Sequence, residues 1–266
     1  MTDAIALDGV SKTYRPPRKK PYLAITDIDL SIQAGRFVAV VGPSGCGKST
    51  LLSLVSGLLP ASTGMVTLNG TPVKEVRTDV GFIFQRDALL PWKTVTENVA
   101  LPLEFRGVPR MSMRQRVGEW VTRVGLAKFS DNYPHELSGG MRKRAQLAQV
   151  MVGDPAVLLM DEPFSALDVQ TRNLMENELL NAWGAAGKTV LFITHDLEEA
   201  IALSDEIVVM TAGPGRIKAR YPVDLPRPRN VTEVRFDPRF VALYERAWAD
   251  LRDEVTRSYE QSLTRS

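Results

Sequence analysis

The sequence predicts an α/β fold: a mostly parallel sheet with crossover helices, a small antiparallel β subdomain near the N-terminal end and an inserted α-helical subdomain. Three observations lead there. Four short segments, 37–41, 156–161, 189–195 and 206–210, have the length and the apolar centre of strands buried on both faces. Helical stretches separate them, as crossovers between parallel strands require. The segment 64–73, GMVTLNGTPV, instead alternates apolar and polar residues and carries Asn-Gly at a hairpin position.

From the N-terminus onward, residues 4–14 (AIALDGVSKTY) and 79–85 (DVGFIFQ) are expected to join that hairpin in the antiparallel sheet. After the strand Phe37–Val41, a glycine-rich turn leads into a helix over Lys48–Leu59, with Leu51, Leu52, Val55, Leu58 and Leu59 at helical spacing. Between about 88 and 152 the signal is mainly helical. Ser112 is the expected cap of a helix carrying Met113, Val117, Trp120, Val121 and Val124, stopped at Gly125. Ser138 caps another, ended by Gly-Asp-Pro at 153–155. Beyond a proline-rich stretch at 222–228, Asp237 and Pro238 open a last helix with an apolar stripe of Phe240, Tyr244, Trp248, Leu251 and Val255. The stripe reads as docked on the domain's own surface, with a dimer contact as the alternative. The expected organisation is one domain over 1–230, with the helical subdomain at about 88–152 inserted, and a helical extension over 231–266.

Composition narrows the function. The chain has 266 residues, 33 Lys and Arg against 31 Asp and Glu, and a net charge of +2, so nothing calls for nucleic acid. The basic stretch RPPRKKP at 15–21 reads as a solvated loop. The N-terminus lacks the basic and apolar regions of a secretion signal, and no apolar run approaches the ~20 residues of a membrane helix. A single cysteine, Cys46, excludes an internal disulfide and fits a reducing compartment.

The chemistry concentrates in a few places. Gly42-Pro43-Ser44-Gly45-Cys46-Gly47-Lys48-Ser49, followed by Thr50, fits G-x-x-x-x-G-K-[ST] between a strand and a helix. Such a loop wraps phosphates with backbone N–H groups, brings the charge of Lys48 to them and offers the Ser49 hydroxyl to Mg²⁺. The fold expected around such a loop is a P-loop NTPase core. Asp161 ends an apolar strand, where it can hold Mg²⁺, and the adjacent Glu162 can activate water. Gln85 ends its strand candidate within reach of the metal or that water. His195 closes 189–195 at the same sheet edge, as a γ-phosphate contact or a structural histidine. The Tyr14 ring either stacks on adenine or simply packs. His135 reads as a capping or surface residue. A second anion cradle opens at Ser138, Gly139 and Gly140, where a helix start has bare N–H groups.

These motifs, in this order, resemble the ATP-binding cassette ATPases of ABC transporters from about Ile5 to Pro228. Walker A is GPSGCGKST, the Q-loop glutamine is Gln85 and the signature is LSGGM. Walker B is VLLMDEP, the D-loop is SALD at 165–168 and the switch histidine is His195. The resemblance implies two copies packed head to tail, with Ser138, Gly139 and Gly140 of one meeting the γ-phosphate held by the other. It implies ATP and Mg²⁺ as cofactors, transmembrane permease subunits as partners, a solute-binding protein acting indirectly, and a peripheral place on the cytoplasmic face of the inner membrane. LLPW at 89–92, SALDVQTR and the VDLPRPR tail are similar to importers for nitrate, sulfonate, taurine or bicarbonate. The apolar Leu89–Trp92 cluster is then a docking groove for a permease helix, or else part of the helical core. Met141 stands where the family usually has Gln, and Gln149 where it usually has Arg. An exporter or lipid-trafficking subunit shares the same catalytic motifs. Repair and translation relatives carry a long inserted coiled coil or two cassettes, and this chain has neither.

Overall fold

The computed structural model describes residues 3–264 apart from 19, 87 and 166. The chain runs β1 (Asp3–Tyr14), β2 (Tyr22–Gln33), β3 (Phe37–Val41), α1 (Lys48–Val55), β4 (Thr63–Leu68), β5 (Thr71–Pro72), β6 (Val80–Ile83), α2 (Val95–Phe105), α3 (Arg110–Arg123), α4 (Gly139–Met151), β7 (Val157–Asp161), α5 (Val169–Ala186), β8 (Thr189–Ile193), α6 (Leu197–Leu203), β9 (Glu206–Met210), β10 (Ile217–Pro222) and α7 (Pro238–Thr264). Two units form: residues 1–77 with 176–266, and residues 78–175, the division falling within α5.

The first unit holds two sheets. One is antiparallel, in the order β2-β1-β4-β5. Asn69 and Gly70 both take positive φ, 49° and 74°, which closes the two-residue turn between β4 and β5. In the other, β3 lies between β8 and β9 in parallel register, and β10 adds antiparallel to β9. Every residue of β3 and β8 is buried, in keeping with their largely apolar sequences.

The second unit pairs β6 with β7 in parallel register, Val80 opposite Val157 and Ile83 opposite Met160. The expectation that residues 79–85 join the antiparallel sheet is therefore wrong: they pair in parallel with β7. A Cβ at Gly81 would crowd Val150, Pro155 and Leu158, so the missing side chain lets β6 close onto β7 and the end of α4. The helices pack around Val95, Val99, Leu103, Val117, Val121, Leu126, Leu137, Ala145 and Val152. Thr94 and Glu97 form a reciprocal capping box at the start of α2.

Three helix ends differ from expectation. α1 stops at Val55, so Leu58 and Leu59 lie beyond it. Gly57, at φ 79°, turns the chain there, and its position against the Glu75 carbonyl leaves no room for a side chain. α3 starts at Arg110 with Pro109 as cap, placing Ser112 inside the helix. On α7, Phe240, Leu243, Ala247 and Leu251 are buried while Trp248 and Val255 are exposed, so the buried face is rotated from the stripe read in the sequence.

Candidate nucleotide site

The elements that bear on nucleotide chemistry fall into two sets, one in each unit. In the first unit, β3 delivers the chain to a loop that needs backbone freedom: Gly45 and Gly47 sit at φ 77° and 102°. Gly47 is the N-cap of α1 and contributes no side-chain cap, leaving the first-turn N–H groups for an anion. Lys48 is 7% exposed, and its Nζ donates to the carbonyls of Gly42 at 2.8 Å and Pro43 at 3.1 Å. A cation curled over a glycine-rich turn and held by neutral carbonyls fits a polyphosphate. Pro43 and Ser44 shape the turn, and burial pushes the Cys46 thiol up despite the pull of Lys48.

The Tyr14 hydroxyl lies 3.2 Å from Thr50 Oγ1, which sets the ring beside the first turn of α1. That ring stacks on Tyr22 with centroids 5.2 Å apart, so an aromatic pair stands where sequence reading found only one ring. No motif marks Tyr22; the β1–β2 register opposes it to Tyr14. His195 is exposed and lies just past β8 rather than within it. Its turn is held from below. Thr194 Oγ1 donates to the buried Glu199 carboxylate at 2.6 Å and accepts from the Asp196 N–H at 3.0 Å.

In the second unit, Asp161 ends β7 and Glu162 follows at φ 44°, a left-handed conformation rare for a non-glycine residue. The Gln85 Nε2 donates to Glu162 Oε2 at 3.1 Å, joining the ends of the two paired strands. Ser165 closes the following turn with its Oγ on the Glu162 carbonyl at 3.0 Å. Ala166 of the expected D-loop lies outside the described residues. Ser138 caps α4, its Oγ accepting from the Met141 N–H at 3.2 Å, and Ser138 and Gly139 are exposed. A side chain at Gly140 would press on Thr171 and Leu167.

A family model described as ABC transporter matches residues 25–165, more than half of the chain. The chain belongs to the ABC transporter family. The nitrate import ATP-binding protein NrtD of Synechococcus elongatus is 44% identical over 246 residues, 91% of this chain and 89% of that protein. The taurine import ATP-binding protein TauB of Rhizobium johnstonii is 43% identical over 226 residues, 84% of this chain and 86% of that protein. A dimeric, post-hydrolysis structure of the ATP-binding cassette MJ0796 bound to ADP and Pi superposes with a TM-score of 0.75 at 29% identity, covering 84% of this chain and all of that one. The chain is thus an ATP-binding and ATP-hydrolysing subunit of the ABC transporter class. Among the described residues no helix is long and apolar enough to cross a membrane.

Within this ABC cassette the sequence reading missed two side chains of the signature helix. Lys143 and Gln146 are both buried. Lys143 Nζ donates to the carbonyls of Phe84, at 3.0 Å, and Gln85, and to Gln146 Oε1 at 3.2 Å. Gln146 Nε2 donates to the Phe84 and Arg86 carbonyls, each at 3.3 Å. The neighbouring Arg142 and Arg144 also hold backbone, donating to the Leu137 and Val124 carbonyls. Gln149 donates to Asn98 O at 3.0 Å. Replacing Lys143 by Met keeps an unbranched apolar stem of similar reach and removes the donors. We expect it to free the Gln85 strand end and lower the turnover number about 10-fold. Steady-state ATPase assays below the variant's melting temperature check this; an unchanged turnover number would contradict it.

Proposed function

We propose that this chain powers the import of a small solute, of the nitrate, sulfonate or taurine kind, through a partner permease, working as a pair of identical cassettes. Identity of 43–44% to nitrate and taurine import ATP-binding proteins over most of both chains is the observation that carries the solute class. The paired cassette is supported by the dimeric relatives and by a signature helix whose capped, exposed start faces solvent in one copy.

In this reading the backbone of Gly42–Gly47 and the Lys48 ammonium hold the phosphates, with Ser49 and Thr50 at the start of α1. Tyr14 stacks on the base, supported from behind by Tyr22. Ser49, Gln85 and Asp161 supply hydroxyl, carboxamide and carboxylate oxygens, a donor set suited to Mg²⁺. When bound, the metal neutralises charge on the phosphates. Glu162 takes a proton from the attacking water, and its bond from Gln85 Nε2 fixes the carboxylate's direction. His195 approaches the γ-phosphate, with Thr194, Asp196 and Glu199 setting its turn. Ser138, Gly139 and Gly140 of one copy meet the γ-phosphate bound to the other, where a helix start gains most from a multiply charged anion. Closure on ATP and release after hydrolysis then follow from differential affinity for the two states. The chain sits peripherally on the cytoplasmic face of the membrane.

The Leu89–Trp92 segment divides between its two readings. Leu89 is 8% exposed and belongs to the helical core, while Pro91 is exposed and Trp92 is 69% exposed. Asn98 fixes the segment: its side chain accepts from the Leu90 N–H at 2.7 Å and donates to the Leu90, Lys93 and Thr94 carbonyls. A held loop that presents an indole to solvent fits docking of a permease helix. Trp92→Asp is expected to leave the ATPase of the isolated chain within about two-fold and to abolish co-purification with the membrane component. Retained co-purification would count against docking there.

A further inference from the structure

The family match ends at residue 165, yet the last helix reaches back to the phosphate loop. On α7, Ser258 Oγ donates to the Ser44 carbonyl at 3.4 Å. One turn earlier Glu254 is 1% exposed. Its Oε2 accepts from the Ala212 N–H at 2.9 Å, and its Oε1 meets Lys218 Nζ at 3.0 Å and Arg257 at 3.2 Å. Ala212 belongs to the loop 211–215, which itself abuts the phosphate loop. A Cβ at Gly215 would overlap the Cys46 carbonyl oxygen, and one at Gly213 would stand 3.5 Å from the Gly45 carbonyl oxygen. Gly215 is tied on its other side by bonds to Ala24 and Thr26, at 2.9 Å and 3.0 Å.

These contacts bear on the N–H groups that a phosphate needs. The peptide unit is planar and trans, so its C=O and N–H point in opposite directions. Anchoring the Ser44 carbonyl on α7 aims the Gly45 N–H away from α7. Confining the Cys46 carbonyl against Gly215 aims the Gly47 N–H in the same manner. Glycine-rich backbone would otherwise lose much conformational freedom on closing around an anion.

We propose that Glu254 and Ser258 are positioning residues of the phosphate loop, so that the C-terminal helix sets the nucleotide affinity of the cassette. The proposal rests on the reading of Gly42–Ser49 as the phosphate site. It predicts an effect on KM for ATP with little on kcat, since the brace organises the binding loop and touches none of the reacting atoms.

The test uses the full chain in four variants: Glu254→Ala, Glu254→Gln, Ser258→Ala and, as control, Lys48→Ala. Titration with a fluorescent ATP analogue and steady-state kinetics are run below each variant's melting temperature. Glu254→Ala is expected to raise KM about 5- to 10-fold with kcat within about two-fold. Glu254→Gln keeps an acceptor for the Ala212 N–H and restores most of the affinity, which a generally loosened fold would not do. Ser258→Ala raises KM about two- to three-fold, and it carries the test should Glu254→Ala fail to fold. If KM stays at the unaltered value in every folded brace variant while Lys48→Ala loses binding, the brace is wrong and the phosphate site stands. If Lys48→Ala binds the analogue as tightly as the unaltered chain, the phosphate site falls, and the brace with it.

Discussion

Glu162→Gln is expected to bind Mg-ATP with near-normal affinity, to hydrolyse it at least about 100-fold more slowly, and to accumulate as a dimer. The substitution keeps the side chain's size and an oxygen able to accept from Gln85 Nε2, now at 3.1 Å from the carboxylate. What it removes is the carboxylate proposed as the base. An amide takes no proton from water, so the state with intact γ-phosphate persists and two copies stay closed around it. Phosphate release gives the rate, and light scattering with and without Mg-ATP gives the mass. Hydrolysis at the unaltered rate would remove Glu162 from the reaction. A monomer in saturating Mg-ATP would count against ATP acting as the adhesive.

Lys48→Ala is expected to lose measurable hydrolysis and to weaken ATP binding by at least about 10-fold. Lys48 brings the one formal positive charge of the loop 42–49, and its Nζ already sits on the loop's own carbonyls, 2.8 Å from Gly42 O. Swinging it onto phosphate exchanges neutral acceptors for charged ones, which strengthens the bonds. Alanine leaves the anion to backbone N–H groups alone. The melting temperature without nucleotide should change little; its rise on adding Mg-ATP should shrink or vanish. Turnover that survives would mean that another site carries it.

Much of the fold and the site was legible for specific reasons. β3, β7, β8 and β9 each carry at least four consecutive apolar or β-branched residues, and the loop 42–49 and Asp161–Glu162 lie at the ends of two of them. Ser138 announced α4 because a hydroxyl, two glycines and a helical run stand in succession. β2 alternates, with Ile28, Leu30 and Ile32 buried, but it follows a basic, proline-containing loop and carries no turn signal that would set its register against β1. β10, IKARYP, mixes cationic residues with a terminal proline and carries no strand signal of its own. It exists because β9 offers an edge. β6 is too short for its pattern to choose between sheets, and the close packing permitted at Gly81 decides. Lys143, Gln146 and Glu254 were illegible as buried residues, since long polar side chains ordinarily read as surface. Burial became possible for them because carbonyls, an N–H and a lysine meet their polar atoms.

In the proposed dimer each ATP is held by the phosphate loop of one copy and the start of α4 of the other. Mixing two separately inactive variants, Lys48→Ala and Ser138→Glu, separates this arrangement from one in which each copy works alone. In a mixed dimer one shared site has Lys48 from one copy and Ser138 from the other, both intact. An equal mixture should recover about a quarter of the unaltered ATPase, because about half the dimers are mixed and each carries one whole site. Activity no greater than the sum of the two variants measured apart would contradict the claim.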